Sequence, residues 1–114
     1  SGMKARTIYL EELATSAAVL YTVANNTRAK LVLVFVSNSA GATRSDINIT
    51  INFDSTEITI LGDKSLSSGD YIELQMNGGY IMLEQGYTIK GVAGGAGVSC
   101  MLTVEEVPFI VSTN

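Results

Sequence analysis

Between Asp46 and Phe53 every odd position is apolar and every even one polar: Ile47, Ile49, Ile51 and Phe53 alternate with Asp46, Asn48, Thr50 and Asn52. A period of two is the mark of a strand with one face buried and the other wet. Tyr71 to Met76 repeats it, with Ile72, Leu74 and Met76 inward. Asn77-Gly78-Gly79 follows, then Tyr80 to Leu83. Asn and Gly take positive φ at little cost, so this stretch predicts a hairpin. Shorter strands are predicted over Val19 to Val23, Thr56 to Ile60 and Tyr87 to Val92, and a last one over Val98 to Val107, closed by Pro108.

Arg28 to Asn38 breaks the pattern by being apolar on both faces, Leu31, Leu33 and Phe35 on one and Val32, Val34 and Val36 on the other. Such a strand is either central, with both sides covered, or offers its outer face to another subunit. The candidate interface is therefore Leu31, Val32, Leu33, Val34, Phe35 and Val36, joined by Tyr9 and Tyr21, since tyrosines are common interface anchors. Ahead of these strands, Leu10, Leu13 and Ala17 share a helical face, which allows one short helical turn within Leu10 to Ala18. A disordered or swapped arm fits the same residues.

Seven or eight short strands with regular turn signals predict an all-β fold, an antiparallel two-sheet β-sandwich of jelly-roll type. At 114 residues the chain holds one domain, read as an N-terminal arm over 1–17 and a sandwich over 18–114. Ser1-Gly2 before Met3 reads as a cloning scar, and the acidic start lacks the apolar core of a signal peptide.

Composition narrows the function. Charged residues make up 16% of the chain, against about 25% in an average protein, so the domain has a large core or leaves apolar surface for a neighbour to cover, and some of both is expected. The net charge is −4 and the seven Lys and Arg are scattered, which argues against nucleic acid and anionic membranes as partners. The absence of His removes the commonest general base and metal ligand. The lone Cys100 sits in an alternating run and reads as a small buried hydrophobe. Glu11-Glu12 and Glu105-Glu106 are neighbours whose side chains diverge in an extended chain, so neither makes an acid–base pair. Asp54, Asp63 and Asp70 fall at turn positions, with no calcium-loop spacing. The glycine-rich stretch from Gly91 to Gly97 has no following helix and no Lys-Ser/Thr pair, so it reads as a flexible inter-strand loop rather than a phosphate cradle. The chain is expected to be non-enzymatic, without metal or cofactor.

The order of segments resembles a known group. Val19 to Thr27 (VLYTVANNT), the strand ending in Val36-Ser37-Asn38, Lys64 to Asp70 (KSLSSGD) leading into Tyr71-Ile72-Glu73-Leu74, and Met82 to Ile89 (MLEQGYTI) before a Gly/Ala loop are similar to small β-sandwich structural proteins of tailed bacteriophages and prophages. The resemblance covers about residues 18 to 107, with Ala24 where the pattern has Pro. It implies a virion subunit, made in the bacterial cytoplasm, that decorates the head or joins the tail. The partners implied are copies of itself, a trimer among the possible forms, and capsid or tail proteins. The competing reading is a carbohydrate-binding or adhesin-like module on the same architecture, which predicts a cluster of exposed tyrosines.

Overall fold

The structure, a computed structural model, describes residues 5–109, with side chains from residue 9 onward. The Ser1-Gly2-Met3 start lies outside the described residues. The described residues form nine strands: β1 (Ala5–Glu12), β2 (Ala18–Thr22), β3 (Thr27–Asn38), β4 (Arg44–Phe53), β5 (Thr56–Leu66), β6 (Tyr71–Gln75), β7 (Ile81–Leu83), β8 (Thr88–Val92) and β9 (Val98–Pro108). They form a five-stranded sheet of order β1-β9-β3-β6, with β7 also on β3, and a four-stranded sheet of order β2-β8-β4-β5.

All pairings are antiparallel and they nest. The first strand pairs with the last, β2 with β8, β3 with β6 and β7, and β4 with β5. A long hairpin rolled up in this way, with its lanes dealt alternately to two sheets, is a jelly roll. The all-β two-sheet sandwich expected from the alternating pattern is what the chain adopts.

The core lies between the sheets. Ile47, Ile49 and Ile51 of β4 point into it, as their odd spacing requires, against Ile89, Leu102, Val104 and Leu83 from the other strands. Each such side chain contributes about 1.5–3 kcal/mol by leaving water. Gly91 of β8 packs in the same layer, where an added Cβ would lie 2.8 Å from Leu13, 2.9 Å from Leu20 and 3.0 Å from Ile49. No larger residue fits without moving all three.

The doubly apolar strand β3 resolves through a bulge. Leu31 lies opposite Val104, and Leu33 opposite Thr103, so Val32 is an extra residue in the ladder. An extra residue reverses the alternation beyond it. Ala29 and Leu31 point inward before the bulge; Val34, Val36 and Asn38 do so after it. Leu33 and Phe35, which strict alternation groups with Leu31, therefore lie on the opposite face.

Three further expectations are corrected. The segment Leu10 to Ala18 contains no helical turn: β1 runs through Glu12 as a sheet strand on β9, and buried Leu13 seals the corner behind it. The sandwich thus begins within the expected arm, because pairing with β9 outweighs a weak helical spacing. Asn77-Gly78 takes the left-handed turn conformation, φ 51° and 83°, but closes no hairpin. β6 and β7 both pair with β3, end to end, and Met76 to Tyr80 is an excursion opposite the β3 bulge. Finally β5 continues past Ile60 to Leu66, because the Leu61-Gly62-Asp63 signal is absorbed in register shifts against β4, with Asp46 and Asp63 at positive φ.

One end of the sandwich is tied by Asn38, 1% exposed. Its Nδ2 donates to the Ala42 and Leu66 carbonyls, both at 3.0 Å, and its Oδ1 accepts from the Ala40 N–H at 2.9 Å. Its backbone N–H donates to Asp70 and its carbonyl accepts from Gly69. One side chain thus holds the β3–β4 loop against the end of β5. The glycine-rich loop packs beside it rather than swinging free: the Gly94 N–H donates to Ser45 O at 2.8 Å, and Arg44 Nε to Ala96 O at 2.8 Å.

Candidate assembly surfaces

The two outer faces of the sandwich differ in chemistry. On the four-stranded sheet the outward residues of β4, β5 and β8 are mostly polar, with Val19 of β2, opposite Lys90, as an exposed apolar neighbour. Asn48, Thr50, Thr59 and Lys90 line a shallow cleft of about 260 Å3 there. On the five-stranded sheet one cross-strand row reads Leu10, Met101, Phe35, with Leu10 opposite Met101 and Met101 opposite Phe35. Leu10 is 74% exposed. The Tyr71 ring, on a residue 58% exposed, stacks on Phe35 at 5.2 Å between centroids and 20° between planes. Leu10, Phe35 and Met101 bound a groove of about 430 Å3, with the Glu11–Glu12 end of β1 at its rim. An apolar row on one face and amides, hydroxyls and an amine on the other is the pattern of a domain with one face toward water and one toward a neighbour.

Against this surface the candidate interface residues divide. Leu31, Val34 and Val36 are 0% exposed in the inter-sheet core and present nothing to a partner. Val32, Leu33 and Phe35 are half-buried on the outer side, Val32 at the bulge itself. The β3 bulge is the cause of the split. Leu10, Met101 and Tyr71 belong to the surface although strand alternation in β3 did not point to them, and Leu10 was hidden by its helical spacing with Leu13 and Ala17.

Tyr9 and Tyr21 are brought together, but as a closure of the core. Tyr21 is buried, its ring 4.9 Å from that of the half-buried Tyr9. Tyr21 Oη donates to Glu106 Oε2 at 2.7 Å, linking β2 of one sheet to β9 of the other. Burial, then the hydrogen bond to the Glu106 carboxylate, holds the Tyr21 phenol well above its ordinary pKa. Burial, then the Glu106 charge, raises that of Tyr9. The other tyrosines are dispersed. Tyr87 packs on Phe53 at 4.9 Å, and Lys30 Nζ sits 4.6 Å from the centroid of the Tyr80 ring. Tyr71 pairs with Ser37 near the end of β3, whereas Tyr80 adjoins Ile81, opposite Leu31 at the middle of the strand, roughly 15–20 Å away at strand spacing.

Cys100 lies in the core opposite Val36. Burial, and secondarily the nearby Glu11 charge, pushes its thiol up to about 12. It is protonated at neutral pH, and a protonated buried thiol is neither a nucleophile nor a ligand. Glu12 is used locally, its Oε2 accepting from the Gly97 N–H at 3.2 Å. Among the described residues no group of three or more His, Cys, Asp and Glu is placed to hold a metal ion, and no helix is long and apolar enough to cross a membrane.

The geometry defines a jelly-roll β-sandwich with an apolar row, Leu10–Met101–Phe35, across one outer face. No known protein family matches the chain, and no curated protein matches it either. Its fold is similar to that of a solved chain from Bacillus endospore appendages, described as forming a novel family of disulfide-linked pili. The TM-score is 0.56 at 10% sequence identity, over 96% of this chain and 90% of that one. The likeness is one of fold.

Proposed function

We propose that this chain is a non-enzymatic structural subunit, used in many copies, that packs against copies of itself and attaches to a larger particle. The observation that carries the reading is the contrast between faces: the Leu10–Met101–Phe35 row with Tyr71 on one sheet, and the polar Asn48–Thr50–Lys90 surface on the other. The particle that fits best is a tailed-phage virion, head or tail, on the strength of the motif series from Val19 to Ile89. A chain with the same fold in the Bacillus pili supports use of this architecture in an assembly. Linkage by disulfides does not carry over, since the sole cysteine here is buried and protonated. The test is mass spectrometry of gradient-purified particles from cells that encode the protein. Many copies per particle are expected. Abundant expression with no trace in the particle fraction would overturn the reading.

A further inference from the structure

The jelly roll leaves four strand edges open, and three of them are blunted. β2 has a register shift between Val19 and Tyr21. β5 meets β4 with three shifts and carries Glu57, Asp63 and Lys64. The β6–β7 edge is interrupted by the Met76–Tyr80 excursion. Bulges, breaks and charges of this kind are how sheet edges avoid pairing with other chains. β1 has neither a bulge nor a break, only charges at its two ends: it pairs with β9 from Ala5 to Glu12 without a shift, and it lies at the end of its sheet.

β1 also carries charge of opposite sign at its two ends, Arg6 near the start and Glu11-Glu12 at the finish. A parallel neighbour of the same sequence would set like charges together. An antiparallel one sets unlike charges together. A two-fold axis perpendicular to a sheet pairs residues that share a face, so the register must be centred on a residue. Centred on Tyr9, it places Arg6 opposite the partner's Glu12, and Ile8 opposite the partner's Leu10. Leu10, the most exposed large hydrophobic among the described residues, then gains an apolar neighbour on its open side. The Phe35–Met101–Leu10 row runs on across the axis into the second copy.

We propose that β1 is the self-association edge: two copies pair antiparallel through Arg6 to Glu12, about a two-fold axis at Tyr9, joining their five-stranded sheets into one. This rests on the assembling-subunit reading and names the contact by which two copies meet. Main-chain hydrogen bonds supply the attraction, and the Arg6–Glu12 and Ile8–Leu10 pairings set partner and register.

The experiment is sedimentation equilibrium of the full chain from about 1 to about 500 µM, with hydrogen exchange read on residues 5–12 across the same range. Wild type is expected to pass from monomer to dimer, and the amides of 5–12 to gain protection as it does. Arg6→Glu and Glu12→Arg each place like charges opposite one another twice per dimer, and each should weaken the dimer about tenfold, about 1.4 kcal/mol. The double exchange Arg6→Glu/Glu12→Arg should return to within about threefold of wild type. Leu10→Lys, at an exposed position where the fold is kept, should also weaken it about tenfold. A wild-type chain monomeric throughout, variants that associate as tightly as wild type, or a double exchange no tighter than the singles would each overturn β1 pairing. The presence of the protein in particles is measured separately, so loss of the β1 contact and loss of the subunit reading give different results.

Discussion

Replacing Asn38 by alanine removes the tie between the β3–β4 loop and the end of β5. Three side-chain hydrogen bonds vanish, two donated to the carbonyls of Ala42 and Leu66 and one accepted from the Ala40 N–H. The cavity left is small and closed, since Asn38 is 1% exposed, so the three stranded groups are poorly rehydrated. At about 1 kcal/mol net for each bond the loss comes to about 3 kcal/mol. For a domain of this length that lowers Tm by roughly 12 °C, at about 4 °C per kcal/mol. Urea unfolding followed by circular dichroism measures it, with an unchanged m-value showing that the denatured state is not the cause. Asn38→Asp gives a second reading with a sign. Its carboxylate would set an anionic oxygen where Nδ2 now faces two carbonyls, so the folded state holds the acid neutral and its pKa lies above the unfolded value of about 3.9. Stability is then fully present below about pH 4 and declines as pH rises through the folded pKa. At pH 7 this variant should be less stable than Asn38→Ala. Ser39→Ala, which loses an exposed bond to the Gly97 carbonyl, is the control and should stay within about 0.5 kcal/mol. If Asn38→Ala matches that control, or Asn38→Asp gains stability toward neutral pH, the clamp is not what holds this end of the sandwich.

Gly91→Ala should destabilise by about 1–3 kcal/mol in the same assay, since its Cβ meets Leu13, Leu20 and Ile49 at 3.0 Å or less. Tyr21 is protonated in the folded chain well above pH 10, so stability should fall as pH rises past the unfolded phenol value, and Tyr21→Phe should fall less steeply in an alkaline melting series. The same change should cost about 1–2 kcal/mol at neutral pH, where Glu106 loses its donor. Cys100, buried and held up to about 12, should react with a thiol reagent at pH 8 only as fast as the chain opens, and at once in denaturant.

Strands with one wet face were legible because their period is unambiguous. β4 and β6 follow their alternation, Ile47, Ile49 and Ile51 inward and Ile72 and Leu74 packed on the core. β3 was legible as a strand but not in phase: with Val or Leu at every position from Leu31 to Val34, a bulge leaves no trace in the pattern. The placement of Phe35 on the outer surface therefore had to come from the ladder with β9. β1 was obscured because Leu10, Leu13 and Ala17 satisfy a helical spacing, and nothing local records that its partners lie 87 to 101 positions downstream. The Asn77-Gly78-Gly79 signal correctly marks a turn, yet turn chemistry alone does not say which strand the chain returns to. Tyr21 and Glu106 are separated by 85 positions, and no local pattern joins them.

The nesting of first strand with last bears on when this protein can fold. β9 lies between β1 and β3, so until residues 98 to 108 have left the ribosome β1 has no ladder and the inward face of β3 lacks Leu102 and Val104. The four-stranded sheet, by contrast, is complete in sequence once β8 is made. At about 5–20 residues per second, synthesis of the chain takes on the order of ten seconds, and the half-built five-stranded sheet is exposed for much of that time. Closure is a late step dominated by contacts between the two ends of the chain, the kind that makes folding slow. Where two chains are made close together, that interval is when the β9 of one can complete the sheet of the other.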